Sequence, residues 1–141
     1  MKDNSFRNKA SFGKRIEHYL IGQMLKEGLD VYIPMVDDDA VDAVVKRLDG
    51  KYAEIQIKAR SKDVGKGNSE LFAAINHTSR DNYWFVFYSE RLNVMWILTS
   101  QEFLDKASRS TKAGSKNIGK YSIYLHKDSE FKASGFKKIL G

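Results

Sequence analysis

The stretch from Ala40 to Arg60 constrains the fold more than any other part of the chain. Two runs rich in β-formers, Ala40 to Leu48 and Lys51 to Arg60, meet at Asp49-Gly50, a dipeptide that favours the backbone conformations of tight hairpin turns. Side chains alternate across a strand. In the second run Ala53, Ile55, Ile57 and Ala59 therefore make an apolar face, and Glu54, Gln56 and Lys58 a polar one. In the first run Val41, Ala43 and Val45 share a face while Asp42 points the other way. Register decides whether the polar groups meet. A two-residue turn sets Asp42 against Ile57, whose side chain leaves by the opposite face. A three-residue loop with Gly50 left-handed sets Asp42 against Gln56, and Val41, Ala43 and Val45 against Ile57, Ile55 and Ala53. The second register aligns both faces and is the one expected.

Around this hairpin the pattern is mixed α/β. Lys9 to Gly28 reads as an amphipathic helix with Phe12, Ile16, Tyr19, Leu20 and Met24 on one arc, Gly13 and Glu17 at its edge, and Gly28 as terminator. Leu29 to Ile33 read as a short strand stopped by Pro34, ahead of the acidic run Asp37 to Asp39. Ser61 to Ser69 are a Lys/Gly/Ser loop, and Leu71 to Ile75 fit either a strand or a helical turn. The unbroken apolar run Tyr83 to Tyr88 predicts a strand buried on both faces, with Val94 to Leu98 as its hairpin partner. Thr99 and Glu102 form a capping box for a short helix to about Ala107. Arg109 to Lys120 make a basic Gly/Ser loop, Tyr121 to Leu125 a strand, and Phe136 to Leu140 a closing helical turn.

A chain of 141 residues is the size of one domain, so residues 1–141 are expected to share one core. No apolar run approaches the roughly 20 residues that span a bilayer, and Met1 to Ser5 lack the apolar stretch of a secretory signal. The absence of cysteine excludes disulfides and thiolate metal sites, and a cytoplasmic location is the natural expectation. The net charge of +6 is unevenly placed. From Phe103 onward, eight lysines and Arg109 face only Asp105, Asp128 and Glu130, which accounts for all of the excess. Such asymmetry suits a polyanion such as DNA, or a basic tail kept for solubility.

Hydrolysis of a phosphodiester needs a divalent metal, an activated water and a charge to balance the phosphate. A hard ion such as Mg²⁺ takes oxygen ligands, commonly one or two carboxylates. Asp42, the Gln56 carbonyl and Lys58 supply those parts if the register brings them together. The sequence Gly13-Lys14-Arg15-Ile16-Glu17 on a helix, the acidic turn Asp37 to Asp42, and Glu54-Ile55-Gln56-Ile57-Lys58 on a strand resemble the core pattern of the PD-(D/E)XK nuclease superfamily. The layout is most similar to archaeal Holliday junction resolvases and small prokaryotic nuclease-like proteins, over about the first 60 residues. The resemblance implies a restriction-endonuclease-like mixed β-sheet flanked by helices. It further implies Mg²⁺ or Mn²⁺ held by Asp42, Gln56, the main-chain carbonyl of Ile57 and Glu17, with Lys58 acting on the water or phosphate. Gln56 departs from the pattern, standing where the superfamily usually has Asp or Glu; a neutral amide ligates but adds no charge.

The leading expectation is therefore a Mg²⁺-dependent DNA endonuclease, a homodimer if both strands of a duplex are cut. Lys14, Arg60, Lys62, Lys66, Lys112, Lys116 and Lys120 are the expected contacts to the DNA backbone, the last three as a flexible clamp. The alternative is a nuclease fold without activity, serving as a DNA-binding or assembly module, for which Gln56 is the motive. A third reading has the basic tail contacting a protein partner. His18, His77 and His126 lack ligand spacing and are expected to be structural or surface residues. The aromatic run Tyr83 to Tyr88 is expected in the core.

Overall fold

The computed structural model describes residues 9–36, 39–65 and 70–141. Helix α1, Lys9–Lys26, ends at Gly28, whose φ of +93° is left-handed. There the Leu29 N–H donates to the Met24 carbonyl at 3.0 Å, closing the helix. Its buried residues are Phe12, Ile16, Leu20, Ile21 and Met24. Tyr19, expected on this arc, is instead 51% exposed. The arc turns toward Ile21, which brings Glu17 inside it, between Met24 and Ile21 on the helical wheel.

Short strand β1, Val31–Tyr32, leads to the hairpin of β2, Ala43–Lys46, and β3, Tyr52–Arg60. Leu71 to Ile75 resolve as a strand, β4; β5 is Tyr83–Ser89, β6 Val94–Thr99, β7 Ser108–Arg109, β8 Tyr121–Tyr124 and β9 Lys132–Ala133. The six-stranded sheet runs β1-β2-β3-β5-β6-β9, and a three-stranded sheet runs β4-β8-β7. Every pairing is antiparallel except β3 with β5. Neither that parallel pairing nor β9 is visible in local sequence patterns. Helix α2, Ser100–Lys106, opens with the expected capping box of Thr99 and Glu102, and α3, Lys137–Leu140, closes the chain.

The large sheet is covered on both sides, which explains why all seven residues of β5 are buried. On one face α1 packs with Ala43, Val45, Ala53, Ile55 and Ile57, joined by Phe136 and Ile139 from the C-terminal end. On the other, Phe72, Ile75, Ile123 and Phe103 cover Tyr83, Phe85, Phe87, Trp96 and Leu98. The aromatic run is thus core, as expected. Its two phenols find polar partners, Tyr88 at Asn93 and Tyr83 at Ala40 and Gln56.

Candidate active site

The hairpin fixes the site. Arg47 N–H donates to the Lys51 carbonyl at 2.8 Å across the loop Leu48-Asp49-Gly50, with Gly50 at φ +84°. Ala43 lies opposite Ile55, Val44 opposite Glu54 and Val45 opposite Ala53. This is the three-residue-loop register, which carries Asp42 to the level of Gln56. The ladder changes character there. Asp42 N–H donates to the Ile55 carbonyl at 2.8 Å, and the Ile57 N–H donates to a carboxylate oxygen of Asp42 at 2.7 Å. A side chain thus takes over from the main chain, and the Asp42 carboxylate is fixed against the Gln56-Ile57-Lys58 stretch of β3. Val41 does not follow the alternation expected of it. It is buried with Tyr83 and Phe85 on the far side of the sheet, because Ala40 at φ +54° turns the chain before β2 begins.

Along β3 the polar face holds. Parallel pairing places Glu54 beside Tyr83, Gln56 beside Phe85 and Lys58 beside Phe87. The Tyr83 hydroxyl lies 2.9 Å from Oε1 of Gln56 and 2.5 Å from the Ala40 carbonyl. Arg80, just before β5, donates to Glu54 at 2.9 Å and to the carboxylate of Asp39 at 3.2 Å, and its guanidinium lies 4.4 Å from the Tyr83 ring centroid. A second bond to the Asp39 carbonyl, 3.0 Å, ties the end of the acidic turn to the sheet. Burial pushes the Tyr83 hydroxyl well above its ordinary pKa; Arg80 opposes this, while Asp42, Glu54 and Asp39 add to it. The phenol stays neutral. Lys58 is half-buried, and its amine has no hydrogen-bond or ion-pair partner among the described residues. An open depression lies beside this network, lined by Asp39, Ala40, Asn76, His77 and Arg80.

Asp42, Gln56 and Lys58 are brought together on one stretch of the hairpin. Glu17 belongs to α1, which covers the opposite, Ile55–Ile57 face of β3. Its side chain is 15% exposed and pairs with Lys14 at 3.2 Å. A carboxylate so covered, inside the sheet-facing arc, is unusual for a merely solvated charge. Among the described residues no three His, Cys, Asp or Glu gather closely enough to hold an ion. A site built on Asp42 therefore draws on Gln56 and main-chain oxygen, a donor set of hard oxygens that suits Mg²⁺ or Mn²⁺.

The basic residues are dispersed. Lys14 is paired with Glu17, Arg60 and Lys62 close β3 and its following turn, and Lys66 lies outside the described residues. Lys112 and Lys116 are exposed and Lys120 half-buried, in a loop closed at its base by Ser110 and Lys120. Successive turns order that loop, from Ser115 to Lys112, Ile118 to Ser115 and Lys120 to Asn117. His77 is structural: it stacks on Tyr83 and bonds Ser100 Oγ at 2.6 Å, and burial with Arg80 lowers its pKa. Sequence reasoning missed Tyr83 and Arg80. The signal for Tyr83 was a phenol opening a largely apolar strand, which when buried needs a polar partner.

No protein-family model matches the chain, and no curated protein sequence matches it. Among solved structures the chain is similar to a bacterial homing endonuclease, I-Ssp6803I, with a TM-score of 0.60 and 18% identity, over 88% of this chain and 82% of that one. At that identity the likeness establishes the fold, a nuclease-like mixed α/β arrangement in which a largely antiparallel sheet is flanked by helices. No described helix is long and apolar enough to cross a membrane.

Proposed function

We propose that the chain is a metal-dependent DNA endonuclease with a PD-(D/E)XK type of site. The observation that carries this is the hairpin register, with the Asp42 carboxylate bonded to Ile57 N–H between Gln56 and Lys58. Asp42, the Gln56 side-chain carbonyl and the Ile57 main-chain carbonyl would hold Mg²⁺ or Mn²⁺, with Glu17 adding carboxylate charge from α1. The ion would lower the pKa of a bound water and supply charge to balance the phosphate. Lys58, with no competing partner among the described residues, would orient that water or bind the scissile phosphate. Exposed lysines, Lys62, Lys112 and Lys116 among them, grip the DNA backbone. A chain with one site cuts both strands of a duplex most simply as a homodimer.

In the test, plasmid and branched DNA are incubated with Mg²⁺ or Mn²⁺, and Mn²⁺ binding is followed separately by electron paramagnetic resonance. Lys58→Ala is expected to abolish cleavage while Mn²⁺ still binds, because the amine is not a ligand. A wild-type chain that neither binds Mn²⁺ nor cuts any substrate would sink the proposal. The missing charge at Gln56 supports a second reading, an inactive DNA-binding module. Salt-sensitive DNA binding indifferent to chelators and to Lys58→Ala would favour it.

A further inference from the structure

The hydroxyl of Tyr83 has one proton and stands within bonding distance of two groups that both look like acceptors. The Ala40 carbonyl is 2.5 Å away and Oε1 of Gln56 is 2.9 Å away. Only one can receive the proton. Ala40 is the closer, and a main-chain carbonyl can do nothing but accept. The Gln56 amide has another option, since a half-turn about its last side-chain bond exchanges its oxygen and its NH₂. Turned so, the NH₂ donates to a lone pair of the Tyr83 oxygen, and every short contact has one donor and one acceptor. Left unturned, two oxygens face each other at 2.9 Å with no proton between them, a repulsive arrangement that the turned amide relieves.

We infer that Tyr83 is a positioning residue which holds the Gln56 amide with its NH₂ toward the phenol and its carbonyl oxygen directed away, both lone pairs available to a cation. The same hydroxyl secures the Ala40 carbonyl, two residues before Asp42, so one side chain sets two of the proposed ligands. Arg80 supports the arrangement by packing over the Tyr83 ring and holding Asp39 and Glu54. This inference rests on the metal-site reading above but concerns the amide's orientation, which exists with or without an ion.

Two measurements separate the two claims. In metal-free protein, the Gln56 side-chain NH₂ protons, assigned by nuclear magnetic resonance, should lie downfield and show Overhauser contacts to the Tyr83 ring. Tyr83→Phe should abolish the downfield shift, with thermal unfolding as the check that the fold persists. In the second measurement Tyr83→Phe should weaken Mn²⁺ binding about tenfold, in keeping with the loss of an outer partner of a ligand. Gln56→Glu should rescue it, because a carboxylate presents oxygen whichever way it turns. The inference is overturned if Gln56 NH₂ signals ignore Tyr83→Phe. It is equally overturned if Tyr83→Phe weakens Mn²⁺ binding as much in the Gln56→Glu background as in the wild type. If wild type binds no Mn²⁺ while the NH₂ signals respond as described, the orientation stands and the metal-site reading falls.

Discussion

Replacing Gly50 by alanine tests the link from turn to register to site. Gly50 sits at φ +84°, and a Cβ built there meets no atom within 4 Å. The cost is therefore conformational alone, about 1–2 kcal/mol for an L-residue in the left-handed region. Restricting the unfolded chain returns about 0.4–1 kcal/mol, leaving a net loss of roughly 1 kcal/mol. The hairpin could evade this strain only by slipping to a two-residue turn. A slip by one residue would turn Ala43 and Val45, both fully buried, toward the other face and bring Lys46 into the core. Losing a buried valine costs about 1.5–3 kcal/mol, and an unpaired buried ammonium costs several more. Burial outweighs the turn, so the register stays and the strain is accepted.

Gly50→Ala should accordingly lower stability by roughly 1 kcal/mol, or about 4 °C in melting temperature for a domain of this size. Urea unfolding should show a lower midpoint with an unchanged slope. Cross-strand Overhauser contacts between Ala43 and Ile55 should persist, and so should any Mn²⁺ binding. Contacts that instead place Asp42 opposite Ile57, or a loss above about 3 kcal/mol, would refute the claim that the buried faces hold the register.

Two predictions follow from perturbed protonation and one from charge. The folded His77 binds its proton below its ordinary pKa of 6.5, so the unfolded state holds more protons between those values. Stability should fall as pH drops below 6.5, and His77→Gln should flatten that fall in urea titrations; a pH-independent difference between the two proteins would contradict it. For Glu102, burial raises the pKa, but the hydrogen bonds from Lys138 and Thr99 outweigh it, leaving the carboxyl below its ordinary 4.5. The stabilisation it gives is present above pH 4.5 and vanishes as pH falls through the folded pKa. Glu102→Gln keeps the capping box and loses only the partly solvated pair with Lys138, so it should cost under about 1 kcal/mol at pH 7 and progressively less as pH falls through the folded pKa, by denaturant unfolding. Changing Lys112, Lys116 and Lys120 together to alanine should weaken DNA binding across sequences. It should reduce the salt slope by up to about 0.9 per lysine that touches a phosphate, and an unchanged slope places the DNA elsewhere.

The hairpin was legible because two periodicities and one turn had to agree, and only one register let them. The capping box at Thr99 and the buried strand at Tyr83 were legible for a similar reason, each being a local pattern with a single structural solution. Tyr19 misled because the apolar arc of α1 can be drawn two ways, and the position of the helix over Ala43 and Ile55 chose the one ending at Ile21. Val41 misled because alternation assumes a continuous strand, and Ala40 at φ +54° interrupts it. The parallel pairing of β3 and β5 was out of reach, since it joins residues nearly 30 apart through a crossover with no local signature. With it went Tyr83 and Arg80, which reach Gln56 and Glu54 only through that pairing.

That missed neighbour bears on what Gln56 means. In a site that had simply lost a carboxylate, the surroundings would remain those of a carboxylate, with donors aimed at position 56. Tyr83 is not such a donor, because its proton goes to the closer Ala40 carbonyl. What it offers position 56 is a lone pair, and an amide can satisfy that where a carboxylate cannot. Nor is Arg80 available, being held by Glu54 and Asp39. The pocket is thus complementary to glutamine rather than to the acid it replaces. This supports a position adapted to a neutral amide, with Asp42 as the carboxylate beside it on the hairpin. Gln56→Glu tests the point in the otherwise unaltered chain. The added charge should tighten Mn²⁺ binding, yet it should cost stability at neutral pH, as the new carboxylate faces the Tyr83 oxygen and competes with Ala40 for one proton. If the variant is as stable as wild type at pH 7, the pocket is indifferent to the difference and the complementarity is not real.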